Sequence, residues 1–96
     1  MLVVVAYDVS TQSDEGQKRL RRVARVCENC GQRVQNSVFE CLVDAARWVR
    51  LRADLVHEIS LAEDSLRFYF LGDKWKGRVE HIGAKASYDP QGALIV

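Results

Sequence analysis

Long apolar runs and an excess of either charge are both missing from this chain of 96 residues. The apolar run near the N-terminus covers residues 2–6, far short of the roughly 18 residues that a membrane span requires, and no basic segment precedes it. We therefore expect neither a membrane anchor nor a signal peptide. The net charge of +1 excludes a polycationic tail, and a hydrophobic content of 48% is too high for a disordered segment.

Cysteines are few and odd in number, and the motifs of most enzyme classes are absent. The 3 cysteines are Cys27, Cys30 and Cys41, and without an export signal we expect reduced thiols in the cytoplasm. Cys27 and Cys30 have CxxC spacing, but no second CxxC or His pair completes a zinc site, so core packing is the preferred interpretation. The sequence also has no glycine-rich phosphate loop, HExxH or GxSxG motif.

The hydrophobic pattern predicts the order strand, helix, extended segment, helix, strand, strand. Residues 2–7 form a short β-branched run, which is typical of a central strand buried on both faces. Ser13 is placed to cap a helix that reaches about Cys30, and Gly31 stands where a C′ glycine ends such a helix. Residues 32–43 are extended, either as one bent strand or as a short hairpin.

The second half of the chain completes one domain. Asp44 is placed to cap a second helix that ends near Glu58, and strands are predicted at 66–71 and 78–83. Residues 1–96 then form a single α+β domain, a ferredoxin-like sandwich with two helices on one face of an antiparallel sheet. The other sheet face has no helix, so we expect a homodimer through that side, with residues 88–96 pairing with the partner subunit.

Asp8 is the first candidate for chemistry, because it ends the predicted central strand. Mg²⁺ prefers octahedral oxygen coordination, so one carboxylate is a poor site, but two copies of Asp8 facing each other across a two-fold axis would improve it. Such a metal would polarise a phosphodiester and activate water. The alternative is that Asp8 only turns the chain out of the strand or accepts hydrogen bonds from nearby amides.

Basic residues are concentrated in the first helix and just after it. Residues 18–33 hold 6 basic side chains against the single acid Glu28: Lys18, Arg19, Arg21, Arg22, Arg25 and Arg33. Cations on one helix face would neutralise phosphates with little reading of sequence. The alternative is a solvated helix face. Residues 74–78 add a loop in which Trp75 stands between cations and would meet a nucleic acid or fold back into the core.

The chain closely resembles a known family over nearly its whole length. The segments that carry the resemblance are LVVVAYDVS at the start, the string RVQNSVFE from Arg33 to Glu40, and LRFYFLG at residues 66–72. They are similar to the small CRISPR-associated adaptation protein, the non-integrase subunit of the spacer-acquisition complex.

This resemblance implies a ferredoxin-like homodimer with Asp8 of each subunit facing across the two-fold axis as a Mg²⁺ site. It implies a metal-dependent endonuclease acting on single-stranded RNA or duplex DNA, or a scaffold that holds duplex DNA and bridges two integrase dimers. By the same resemblance Tyr7 is a catalytic residue together with Asp8. Arg33 and Phe39 match positions near them that we expect to bind nucleic acid, and Arg22 matches one on the basic helix. A small-molecule-binding regulatory dimer of the same fold is the alternative function.

Overall fold

The computed structural model describes residues 1–72 and 79–84. Its elements, in chain order, are β1 (Leu2–Asp8), α1 (Asp14–Glu28), β2 (Gly31–Gln35), β3 (Val38–Leu42), α2 (Ala45–Glu58), β4 (Ser65–Leu71) and β5 (Val79–Gly83). The predicted order of elements is confirmed. The predictions for residues 74–78 and 88–96 lie outside the described residues. No helix in the described part of the chain is long and apolar enough to span a membrane.

The five strands form one antiparallel sheet in the order β2-β3-β1-β4-β5. β1 lies at the centre, paired with β3 on one side and β4 on the other. Both helices connect strands that are not hairpin neighbours, and they pack side by side against the same sheet face. This is the α+β, ferredoxin-like architecture that the sequence predicts, with the central position of β1 confirmed.

The core lies between this sheet face and the two helices. It is built from alternate strand residues, which share a face because side chains in a strand alternate. The fully buried strand members are Val3, Val5, Phe39, Cys41, Leu66 and Phe68. They meet Val23 and Cys27 from α1 and Leu51 and Leu55 from α2. Trp48 of α2 is partly buried and packs against this core, with its ring edge-on to Phe68 at 4.9 Å between centroids.

The opposite sheet face, which we call the open face, carries Leu2, Val4, Ala6 and Asp8 of β1 and their cross-strand neighbours. Leu2, Val4 and Ala6 are only half-buried. The expectation that β1 is buried on both faces is therefore wrong for one chain, because within residues 1–72 and 79–84 no helix covers this side. The apolar content of β1 exceeds what one helix-covered face requires.

The helix boundaries follow the caps that the sequence provides. The Ser13 hydroxyl accepts a hydrogen bond from the Gly16 amide at 3.0 Å, and the Asp44 carboxylate accepts one from the Arg47 amide at 2.8 Å. α1 ends at Glu28, two residues before the predicted end at Cys30.

Gly31 is not a C′ glycine, and this prediction is wrong. It is the first residue of β2, and its backbone φ is not positive. A Cβ there would lie 2.2 Å from the carbonyl oxygen of Glu40 in β3. Glycine is therefore required by the close approach of two strands. β2 and β3 pair antiparallel. Residues 32–43, which the sequence left open between one bent strand and a short hairpin, therefore form a hairpin.

Candidate active site and nucleic-acid interface

The candidate site lies at one end of the central strands of the sheet, where β1 ends and β3 and β4 begin. Asp8 is the cross-strand partner of Ser65, and the Tyr7 amide donates to the Ser37 carbonyl at 3.1 Å. The turn of the β2–β3 hairpin is thereby held beside the end of β1. An open depression of about 490 Å³ at this turn is lined by Gln35, Asn36 and Ser37.

Asp8 is exposed and projects from the open face, because alternation along β1 turns Tyr7 toward the core and Asp8 away from it. Within the described residues, no group of three or more His, Cys, Asp or Glu side chains is arranged to hold a metal ion. Asp8 supplies one carboxylate here, whereas Mg²⁺ prefers six oxygen ligands. The described residues of one chain therefore do not form a magnesium site by themselves.

Tyr7 is 5% exposed and packs the hairpin turn against β1. Its ring stacks on Phe39, with 6.2 Å between centroids and 22° between planes, and its hydroxyl donates to the Asn36 carbonyl at 3.4 Å. Burial raises the pKa of Tyr7 above its usual value, so the phenol is protonated at neutral pH. Tyr7 therefore precedes Asp8 directly in the sequence, but its side chain lies on the other face of the sheet.

Arg33 fastens the same turn to the end of α1. Its guanidinium lies 4.8 Å above the Phe39 ring, donates to the Asn36 carbonyl, and donates to Glu28 Oε2 at 3.1 Å. Phe39 itself is fully buried, so its ring is not available to stack on a base. Arg33 and Phe39 are both predicted to bind nucleic acid near Asp8. Of these two, Arg33 reaches the surface, whereas Phe39 is buried and its ring packs under the Arg33 guanidinium.

The basic residues of α1 divide into an outward set and an inward one. Four of them recur at helical spacing along one exposed stripe, which we call the cationic stripe: Lys18, Arg21, Arg22 and Arg25. Arg22 pairs with Glu58 of α2, with 2.8 Å between Nε and Oε1. In the part of the chain that the structure describes, Lys18, Arg21 and Arg25 form no salt bridge. These three cations are presented to solvent.

Arg19 does not belong to the cationic stripe. Its side chain is 12% exposed and is directed at Asp64, a fully buried carboxylate, with 2.8 Å between Nε and Oδ2. Burial alone would raise the pKa of Asp64, but hydrogen bonds from Arg19, Ser60 and Ser10 outweigh it and hold the pKa below its usual value. Arg19 is therefore engaged inside the fold, away from any phosphate that meets the stripe.

Asp64 is the residue near the site that sequence reasoning missed. The only local sign of Asp64 in the sequence is its position directly before an apolar strand and after a short turn. Asp side chains in such positions often accept hydrogen bonds from nearby backbone amides. Its partners Ser10 and Arg19 are 54 and 45 residues away, so no pattern in the chain points to them.

Arg67 and His81 form a polar pair on the open face. Arg67 faces Ala6 across the β1–β4 pair and His81 across the β4–β5 pair, and Arg67 Nη2 is 2.8 Å from His81 Nδ1. Burial and the neighbouring Arg67 lower the pKa of His81, so the imidazole is neutral at pH 7. The pair places a fixed cation one row inward from Asp8.

Comparison with known proteins decides the family. The family described as "CRISPR associated protein Cas2" matches residues 1–79. The chain belongs to the Cas2 family. The resemblance drawn from the Tyr7-Asp8 strand end and the RVQNSVFE string is thereby confirmed.

Curated relatives match from end to end. The chain is 59% identical over 96 residues to the CRISPR-associated endoribonuclease Cas2 of Chlorobaculum tepidum, covering 100% of both chains. It is 55% identical over 95 residues to the CRISPR-associated endonuclease Cas2 of Halalkalibacterium halodurans, covering 99% of each. Among solved structures, it is similar to Streptococcus pyogenes Cas2 at pH 6.5, with a TM-score of 0.71 and 52% identity over 86% of this chain and 100% of that one.

Proposed function

We propose that this protein is the nucleic-acid-binding subunit of a CRISPR adaptation complex, which works as a homodimer, holds duplex DNA and bridges dimers of the integrase. The observation that carries the proposal is the cationic stripe on α1. Lys18, Arg21 and Arg25 extend from the fold at helical spacing without a salt bridge to any described residue. A phosphate backbone supplies the counter-charge that such a row lacks.

The open face supports the homodimer. Leu42 is 72% exposed and Leu71 is 46% exposed, and both are cross-strand neighbours of Leu2. With the half-buried Val4 and Ala6 they form an apolar surface that a second copy would bury. Residues 1–96 then act as one domain, and we assign 88–96 to pairing with the edge of the partner subunit. Such a dimer doubles the cationic stripe.

The position of Asp8 supports hydrolysis as a second activity of the same dimer. Asp8 projects from the open face, so a two-fold axis through that face would bring two carboxylates together. We assign Mg²⁺ to these two side chains, where it would polarise a phosphodiester of RNA or duplex DNA. The relatives from Chlorobaculum tepidum and Halalkalibacterium halodurans carry the names endoribonuclease and endonuclease. Tyr7 and Arg33 hold the hairpin turn beside this position.

A salt series of duplex titrations tests the binding role. The variants are Arg21→Ala and Arg25→Ala, and the matched control is Arg50→Ala, which removes an exposed arginine from α2. We expect wild-type affinity to fall steeply with salt, and each stripe variant to reduce the slope of log affinity against log salt by about one. The control should keep the wild-type slope. An affinity that does not depend on salt, or an equal loss in the Arg50 control, would contradict a phosphate-binding stripe.

The same titration distinguishes nucleic-acid binding from the alternative function, a small-molecule-binding regulatory dimer. That function predicts a thermal shift with a metabolite and behaviour that does not change with salt. The cationic stripe predicts the opposite pattern, because counterion release dominates binding to a phosphate backbone.

A further inference from the structure

One buried carboxylate joins the segment that follows Asp8 to α1 and to the segment that follows α2. The carboxylate is that of Asp64, which is fully buried. Its Oδ1 accepts from the Ser10 amide at 3.0 Å, and its Oδ2 accepts from the Ser60 amide at 2.9 Å. Arg19 donates to both oxygens, at 2.8 Å from Nε and 3.3 Å from Nη2. One side chain thus receives four hydrogen bonds from three separate segments.

These contacts lie beside Asp8, both along the chain and across the β1–β4 pair. Ser10 follows Asp8 by two residues, and Asp64 immediately precedes Ser65, the cross-strand partner of Asp8. The backbone of Asp64 also holds the end of β5, since its carbonyl accepts from the Ala84 amide at 2.9 Å. The exit of β1 and the start of β4 are therefore fixed to the same group.

Asp8 itself is exposed, so core packing does not hold its side chain. The last pair of the β1–β4 ladder, between Asp8 and Ser65, sets the position of the backbone that carries this carboxylate. We propose that Asp64, ion-paired with Arg19, is a positioning residue that fixes the end of β1 and thereby the place of the Asp8 carboxylate. Its consequence for cleavage rests on the proposed Asp8-dependent hydrolysis. Its consequence for the backbone does not.

The chemistry requires a carboxylate at this position rather than an amide. All four groups that point at Asp64 are donors, and an ionised carboxylate has two acceptor oxygens for them. In Asp64→Asn one oxygen becomes an NH₂ group, which faces donors and cannot accept from them. The variant keeps the shape of the side chain but releases either Ser10 or Ser60, together with the charge that holds Arg19.

The test compares Asp64→Asn and Arg19→Lys with wild type. Arg19→Lys keeps a cation but loses the planar fork that meets both oxygens, so it is the milder change and carries the test if Asp64→Asn does not fold. The matched control is Arg52→Ala, which removes another arginine that contacts a carboxylate through two nitrogens, in this case the carboxylate of Glu80 in β5. Each protein is measured for amide hydrogen exchange, thermal unfolding, duplex affinity, and kcat and KM of metal-dependent cleavage.

We expect both test variants to speed amide exchange at residues 8–10 and to lower kcat, by about tenfold for Asp64→Asn, because a small displacement of a reacting group is costly. KM and duplex affinity should stay within about twofold of wild type, since the cationic stripe is untouched. The control should lose thermal stability but keep kcat and the exchange at residues 8–10. A kcat that follows thermal stability equally in all variants would overturn the positioning role.

Failure of the proposed hydrolysis gives a different result. If wild type does not cleave, that activity is refuted, and the positioning role is judged by hydrogen exchange alone. Exchange at residues 8–10 that is unchanged in both Asp64→Asn and Arg19→Lys overturns it; faster exchange there, absent from the Arg52 control, supports it.

Discussion

The replacement Asp64→Asn should destabilise the protein in a manner that depends on pH. Asp64 is fully buried, and Arg19 is 12% exposed, so the change removes one member of a largely buried ion pair. Removing one member of such a pair costs about 3–5 kcal/mol when the remaining buried charge is left without a counter-charge or solvent. Here Arg19 reaches solvent and lies 3.7 Å from Glu63, and Asn keeps one acceptor oxygen. We therefore expect a loss of about 2 kcal/mol in the free energy of unfolding at pH 7.

The sign of the pH dependence follows from the direction of the pKa shift. The folded pKa of Asp64 lies below its unfolded value, so the ionised form stabilises the fold. This contribution is complete above the unfolded pKa of about 4, and it is lost as the pH falls through the folded pKa. The difference between wild type and Asp64→Asn should be constant from about pH 5 to 8 and should shrink below about pH 4.

Urea unfolding followed by far-ultraviolet circular dichroism, at one fixed protein concentration, measures this difference at each pH. At neutral pH the melting temperature of the variant should fall by about 10 °C, because 1 kcal/mol corresponds to about 4–8 °C in a domain of this size. A difference that is equally large at pH 3 and pH 7, or that is absent at pH 7, would refute the assignment of Asp64 as an ionised, ion-paired anchor.

Two further predictions concern the junction of α1 and the hairpin. Burial raises the pKa of Cys27 to about 12 and that of Cys41 to about 11, so a thiol-reactive reagent at pH 7.5 should label Cys30 first in the folded protein. Mass spectrometry after a short exposure checks this, and early labelling of Cys27 would contradict it. Gly31→Ala should cost about 2 kcal/mol or more, because the added Cβ meets the Glu40 carbonyl at 2.2 Å; a melting temperature equal to wild type would contradict the close approach of the strands.

Local signals in the sequence predicted much of the fold. Ser13 and Asp44 cap the two helices as expected, because an N-cap depends only on residues two or three positions away. Gly31 was misassigned because a glycine after a helix is typical of a C′ position. Its actual constraint comes from Glu40 on a neighbouring strand, which sequence spacing does not show.

The candidate site was predicted in part, for the same reason. Asp8 lies at a strand end as expected, since the strand pattern itself sets that position. Arg19 and Arg21 look equivalent in the sequence, yet Arg19 points inward because Asp64 is brought to it by folding. Phe39 was expected to meet nucleic acid, but alternation along β3 places it in the core under Arg33.

Nucleic-acid binding is assigned to the cationic stripe, and metal-dependent cleavage is assigned to a separate place, the Asp8 carboxylate. The most direct measurement is a side-by-side binding and cleavage assay of wild type, Asp8→Ala and the control Asp54→Ala, on single-stranded RNA and duplex DNA, with Mg²⁺ or EDTA. We expect wild type and Asp54→Ala to cleave only with Mg²⁺, whereas Asp8→Ala should not cleave but should bind duplex as wild type does. Cleavage by Asp8→Ala at the wild-type rate, or loss of binding together with cleavage, would contradict this assignment.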